Sequence, residues 1–242
     1  MTTISSPPTP IPPATDLTRT ARVTGAWYLG LAITGLLGFI IIRAQIFDPA
    51  SAQATFDNLV EKSALAALDV ALELAIVLTQ AVVAVWFFKL LRSANPVCAV
   101  AVMVFGMANA VAIMASATFM GTALTVTTDP SLAAPDGPAT VQLLYTLSSN
   151  AWVAGSIFFG LWLVPMGWAV LTCGLAPRLL GWALVVGGVG YVASAVLGLA
   201  VPDAPAALAD VLTFPSAIGE FWMIAYLLVW GVRRTANAQV TR

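Results

Sequence analysis

Histidine is missing from this 242-residue sequence, cysteine occurs twice, and acidic and basic residues together make up only 9% of it. Each shortage removes a class of function. Without histidine there is no Ser-His relay, no imidazole base at neutral pH and none of the commonest metal ligand. Cys98 and Cys173 match no zinc-ligand spacing. Both fall at helix ends read below as cytoplasmic, a reducing side on which free thiols are expected. An ordinary soluble domain carries about 25% charged residues, so ten bases and eleven acids cannot cover a water-soluble globule. The net charge of −1 supplies no basic field for nucleic acid. No Walker A motif, Rossmann glycine set or HExxH is present, and Gly155-Ser156 runs into Ile157-Phe158-Phe159 and not into a nucleophile elbow. The expectation is a protein that is not an enzyme and uses no cofactor or metal.

What the chain has in excess is apolar residues, 60% of the total, with a mean hydropathy of +0.94. Lipid is the solvent that accepts such a surface. Scanning for runs of about 20 apolar residues predicts six membrane helices, over about 25–43, 63–91, 97–120, 150–171, 178–200 and 211–232. Before them, residues 1–20 are rich in Pro, Ser and Thr and read as a disordered leader without the pattern of a secretory signal. The membrane domain is taken as 21–235 and the tail as 236–242. An interfacial stretch starting near Thr140 precedes the fourth span, Pro165 predicts a kink within it, and Pro215 is placed in the first turn of the sixth. The loops 44–62 and 121–149 are long enough for short interfacial helices.

Orientation follows from the basic residues. Arg19, Arg22, Lys89, Arg92, Arg178, Arg233, Arg234 and Arg242 fall on one side, and only Arg43 and Lys62 on the other, which instead holds seven acids. The positive-inside rule then makes both termini cytoplasmic. Trp27, Trp86, Trp168, Trp182 and Trp230 gather toward the same interface, as amphipathic rings do.

Ionisable groups within the membrane cost about 2.5 to 3.5 kcal/mol each on insertion scales and are functional candidates by default. In the second span Asp69 and Glu73 are four residues apart, and Lys62 and Gln80 continue the same stripe at 100° per residue. Asp69 reads either as a site residue or as an interfacial acid reaching water, and Arg43 is placed to pair with Asp69 or Glu73. Glu220 stands roughly midway down the last span, as Asn109 does in the third and Thr34 in the first. It is read as a working acid at midplane depth or as a packing residue hydrogen-bonded to Gln80 or Asn109. Gly30, Thr34 and Gly38, and again Gly190, Ser194 and Gly198, repeat every four residues and form grooves for close helix contact, within the bundle or in a homo-oligomer.

Several blocks resemble a bacterial membrane family, the domain of unknown function 4386. They are Arg22, Gly25, Tyr28 and Leu29; Phe158-Phe159-Gly160-Leu161; Pro177-Arg178 with Leu180-Gly181; Gly190-Tyr191; and Pro215 with Ile218-Gly219-Glu220 and Trp230-Gly231-Val232. The resemblance implies a bacterial inner-membrane protein of about six or seven helices with no established activity, substrate or cofactor. It also implies histidines near the positions of Ser148 and Trp162, which this chain lacks, so no role of theirs carries over. The residues themselves lead to an all-α six-helix transmembrane bundle in the bilayer. Two functions are carried forward. One is binding or transport of a small solute or proton, with Asp69, Glu73 and Gln80 as an acidic access stripe and Glu220 with Asn109 as a deeper site. The other is a sensory or scaffold protein acting through helix contacts.

Overall fold

The computed structural model describes residues 14–133, 136–201 and 205–233, and among these every regular element is helical. α1 (Ala14–Gly35) continues through a π-helical segment, Leu36–Ile42, into one further turn, α2 (Arg43–Ile46). A short α3 (Ala52–Glu61) leads into α4 (Ser63–Leu91). There follow α5 (Pro96–Val126), a single turn α6 (Pro130–Ala133), α7 (Gly137–Cys173), α8 (Arg178–Ala200) and α9 (Ala206–Val229). Among the described residues, six helices are long and apolar enough to cross a bilayer, the first being the continuous Asp16–Ile46. Large apolar side chains such as Leu78, Val111, Phe214 and Phe221 are exposed on their outer faces, where lipid satisfies them. The chain is an all-α, multi-pass membrane protein.

The second and fifth spans coincide with their expected bounds, while the others differ in instructive ways. The first helix starts at Ala14, inside the stretch read as a disordered leader; residues 1–13 of that stretch lie outside the described residues, as does the tail 236–242. Much of the expected 121–149 loop is helix, because a helix ladder runs on past the apolar stretch until a cap stops it. Asp136 caps the start of α7, its carboxylate accepting from Ala139 N at 3.0 Å. α7 then runs through Pro165 to Cys173 and ends on Gly174, whose φ of 65° is the left-handed conformation glycine adopts most easily. The sixth span starts at Ala206 and stops at Val229, so Pro215 lies in its interior and not in its first turn. The 44–62 connection holds α3, whose cap is Ser51, accepting from Ala54 N at 3.1 Å.

Consecutive long helices pack side by side, and α1 lies against both α4 and α9 to close the bundle. The approach of α7 to α8 is close because neither side carries a Cβ. A Cβ on Gly160 would stand 2.5 Å from Gly188 O, and one on Gly167 2.5 Å from Gly181 O. Gly190 meets Leu212 of α9 in the same way. At one end Arg22 Nη2 donates to Val229 O at 3.5 Å and Arg233 N to Leu175 O at 3.0 Å. This is the basic end. The opposite end is closed by α2, α3 and α6 and is called the α3 end.

Candidate functional site

The polar interior begins at the α3 end, with a guanidinium inside the bundle. Arg43 is only 5% exposed, although it lies at the start of a terminal turn. Its Nη1 stands 3.3 Å from Glu73 Oε1 in an ion pair and donates to Ser148 Oγ at 2.9 Å, with Met120 Sδ also at 3.3 Å. Nη2 donates to Ser149 Oγ at 2.9 Å and to the carbonyl of Tyr145 at 3.4 Å. The rings of Phe39, Phe47 and Tyr145 surround its Cζ at 5.5, 5.9 and 5.7 Å, a stabilising arrangement for a desolvated cation. Of the two partners the sequence left open for Arg43, Asp69 and Glu73, the structure pairs it with Glu73, deeper than expected.

Glu73 is anchored by more than the arginine. The same Oε1 accepts from Trp152 Nε1 at 2.7 Å and from Ser116 Oγ at 3.1 Å, and Ser116 Oγ is 2.6 Å from Ser148 Oγ. Four elements, α2, α4, α5 and α7, thus converge on one carboxylate oxygen. Its other oxygen, Oε2, makes no hydrogen bond.

Asp69, one turn from Glu73 on α4, is wholly enclosed, and neither of its carboxylate oxygens has a hydrogen-bond partner. It is not the water-reaching interfacial acid that one sequence reading made of it. The π-helical segment of α1 covers it. A Cβ on Gly38 would stand 3.2 Å from Leu72 Cβ and 3.7 Å from Asp69 Oδ1, so the absence of a side chain there lets α1 lie down over the acid. The Tyr145 hydroxyl is buried and unpartnered as well. The chamber therefore holds a cation whose two terminal nitrogens are hydrogen-bonded and carboxylate oxygens that are not. With all three groups ionised, its charge is one negative unit.

Lys62 departs from the stripe. It is exposed and donates to Gln45 O at 3.0 Å and Asn58 Oδ1 at 2.9 Å, tying α3 to the end of the first span. Gln80 and Asn109 are buried about two turns farther in, at 0% and 5% exposure. Glu220 stands apart from these. It lies half-buried on α9, and its carboxylate faces Tyr28 of α1 and Tyr191 of α8. Gln80 makes no hydrogen bond, so the expected Gln80 to Glu220 contact is not formed. Thr34 bonds back to Gly30 O at 2.9 Å within its own helix.

The glycine grooves face the chain's own helices. Gly30 approaches Thr79, Gly38 Leu72, Gly190 Leu212 and Gly198 Val153, with Ser194 half-buried between the last two. Residues that the sequence did not single out as site residues complete the chamber: Ser116, Tyr145, Ser148, Ser149 and Trp152. Apolar periodicity hides them, since serine and tryptophan on a buried helix face look like packing until a charge is seen beside them. Among the described residues, no group of three or more acids, cysteines or histidines is placed to hold a metal ion.

A family model described as a domain of unknown function (DUF4386) matches residues 23–231. No curated protein and no solved structure gives a match.

Proposed function

The chain belongs to the family described as domain of unknown function 4386, and from that premise we propose that it binds a proton or a small monovalent cation in the chamber at the α3 end. Asp69 is the receiving group. The observation that carries this reading is the pair of unpartnered Asp69 oxygens at 0% exposure, beside a guanidinium already committed to Glu73, Ser148 and Ser149. An unpaired buried carboxylate costs several kcal/mol, and one positive unit removes that cost. The charge of the chamber calls for one such unit and no more, which favours a proton or monovalent ion over a divalent one. An anion is disfavoured, because the chamber already carries one negative unit and both terminal nitrogens of Arg43 are committed.

In this reading Arg43 and Glu73 are the fixed frame, and Tyr145 supplies a further oxygen at the mouth of the site. The protein is a binding or transfer protein and not an enzyme. It works in a bacterial inner membrane with its basic end toward the cytoplasm, as the distribution of arginine and lysine suggests. The scaffold alternative keeps only part of its groove, since Gly38 and Gly190 are buried against the chain's own helices while Gly198 stays exposed.

Infrared difference spectroscopy of the full chain in lipid tests the proposal. A carboxyl band that responds to pH, or to added sodium or potassium, is expected in the wild type and absent in Asp69→Asn. An unchanged spectrum in Asp69→Asn would sink it.

A further inference from the structure

Beyond the chamber, the helices are stacked in a repeating register. The Ser116 to Glu73 hydrogen bond and the approach of Gly106 to Ala84 tie antiparallel α5 and α4 together at two points. Between those ties the register sets Ile76 opposite Ile113 and Gln80 opposite Asn109. Ile76 and Ile113 are 2% and 1% exposed, so a dry layer separates the chamber from a layer of amides. Seven residues along α4 from Glu73 to Gln80 correspond to about 10 Å.

The amide layer is polar without being satisfied. Gln80 is wholly enclosed, and neither its Nε2 nor its Oε1 makes a hydrogen bond. The point at which a Gly106 side chain would begin lies 3.2 Å from Gln80 Nε2 and 2.9 Å from Trp162 Cε3, which makes the amide and the indole neighbours. Trp162 Nε1 is also unpartnered, and its ring meets Tyr28 edge-on at 5.6 Å between centroids. The Tyr28 hydroxyl, again without a direct hydrogen bond, faces Glu220. Side chains that carry unmet polar atoms are therefore neighbours in turn, from α4 through α7 and α1 to α9. Leu and Phe would fill these places at less cost, since each buried unmet donor or acceptor costs about 1–3 kcal/mol. Ala84 and Trp162 crowd the Gly106 position on one side of Gln80. Water is the occupant that fits such groups, and buried waters make about three hydrogen bonds each to polar atoms of this kind.

We propose that Gln80, Trp162, Tyr28 and Glu220 form a second, internally hydrated site that holds a proton, in series with the Asp69 chamber across the Ile76 and Ile113 layer. This rests on the reading of Asp69 as the receiving carboxylate. The transfer balances: the O–H bond of protonated Asp69 breaks, the proton crosses the Ile76 and Ile113 layer on water that enters it transiently, and a new O–H bond forms on the Glu220 carboxylate, leaving Asp69 charged. The groups facing Asp69 are Arg43, Glu73 and Tyr145; those facing Glu220 are Tyr28 and Tyr191.

The test uses the full chain in phosphatidylethanolamine and phosphatidylglycerol vesicles with a trapped pH dye, the membrane potential being clamped. Proton flux after an acid step is compared for wild type, Gln80→Leu, Trp162→Phe and Ile113→Ser, with the infrared carboxyl bands recorded on the same samples. Wild type should exceed protein-free vesicles. Gln80→Leu and Trp162→Phe should each lower the flux toward that of protein-free vesicles, with the pH-responsive Asp69 band retained. Ile113→Ser, which wets the dry layer, should raise it. Wild-type flux equal to that of empty vesicles, or unchanged flux in both relay variants, overturns the second site while a responding Asp69 band leaves the chamber standing. A silent Asp69 band removes the chamber reading, and the series with it. Unchanged thermal unfolding of Gln80→Leu certifies that its lost flux is not lost protein.

Discussion

The Arg43 and Glu73 pair at the α3 end and the amide layer two turns below it use the same helices and treat buried polar groups in opposite ways, with Asp69 of the chamber left as open as the amide. Arg43 donates to Ser148, Ser149 and a backbone carbonyl, and Glu73 accepts from Ser116 and Trp152, so the charged frame is held in one geometry. Around Gln80 no protein group meets either end of the amide. A permanent charge in hydrocarbon is too costly to leave unmatched, and the fold commits four elements to it. A neutral amide costs less and is left with open valences that a small mobile occupant satisfies. The first region reads as a frame, the second as a passage.

That contrast is broken most severely at Arg43. Arg43→Met leaves Glu73 buried without its cation and is expected to destabilise the protein by about 3–5 kcal/mol, measured by denaturation in detergent. The double variant Arg43→Met with Glu73→Met should recover most of that loss. If it does not, the arginine matters for its contacts with Ser148 and Ser149 more than for its charge. A smaller effect is expected at Trp152. Trp152→Phe keeps the ring against Phe39, now 4.4 Å away between centroids, and removes only the donor to Glu73, at a cost of about 1.5–3 kcal/mol for a hydrogen bond to a charged group.

The smallest effect lies outside the membrane and serves as the control. Asp129 stands at the turn between α5 and α6, and hydrogen bonds from Ser131 Oγ at 2.7 Å and Ser131 N at 2.9 Å hold its carboxyl below the usual range. With the folded value lowered, what this contact adds is complete above the ordinary carboxylate pKa and is lost as pH falls through the lowered one. Ser131→Ala should move the Asp129 titration, followed by carboxyl NMR, back toward the ordinary value without altering proton flux.

Much of the architecture could be read from hydropathy. The two spans whose ends coincide with the expected ones, α4 and α8, run up to Asn95-Pro96 and start after Pro177, where breakers stand beside the apolar run. The spans that run long, α5 and α7, do so where capping and not polarity decides the end. Site residues divide in the same way. Asp69, Glu73 and Gln80 were visible as a stripe because charges and amides are rare in apolar helices. Ser148 and Trp162, the positions at which the resemblance suggested histidine, turn out to belong to different clusters, one on Arg43 and one beside Gln80. No periodicity separates them.

Composition and the spacing of apolar runs alone determined that this chain lives in a bilayer as a six-helix bundle, because only a closed helix satisfies its backbone without water. Tertiary structure alone decided that Arg43 turns inward, that Asp69 is left without a partner and that Glu220 faces tyrosines. Those outcomes depend on which helix faces meet, and at what height, and close approach through glycine sets both.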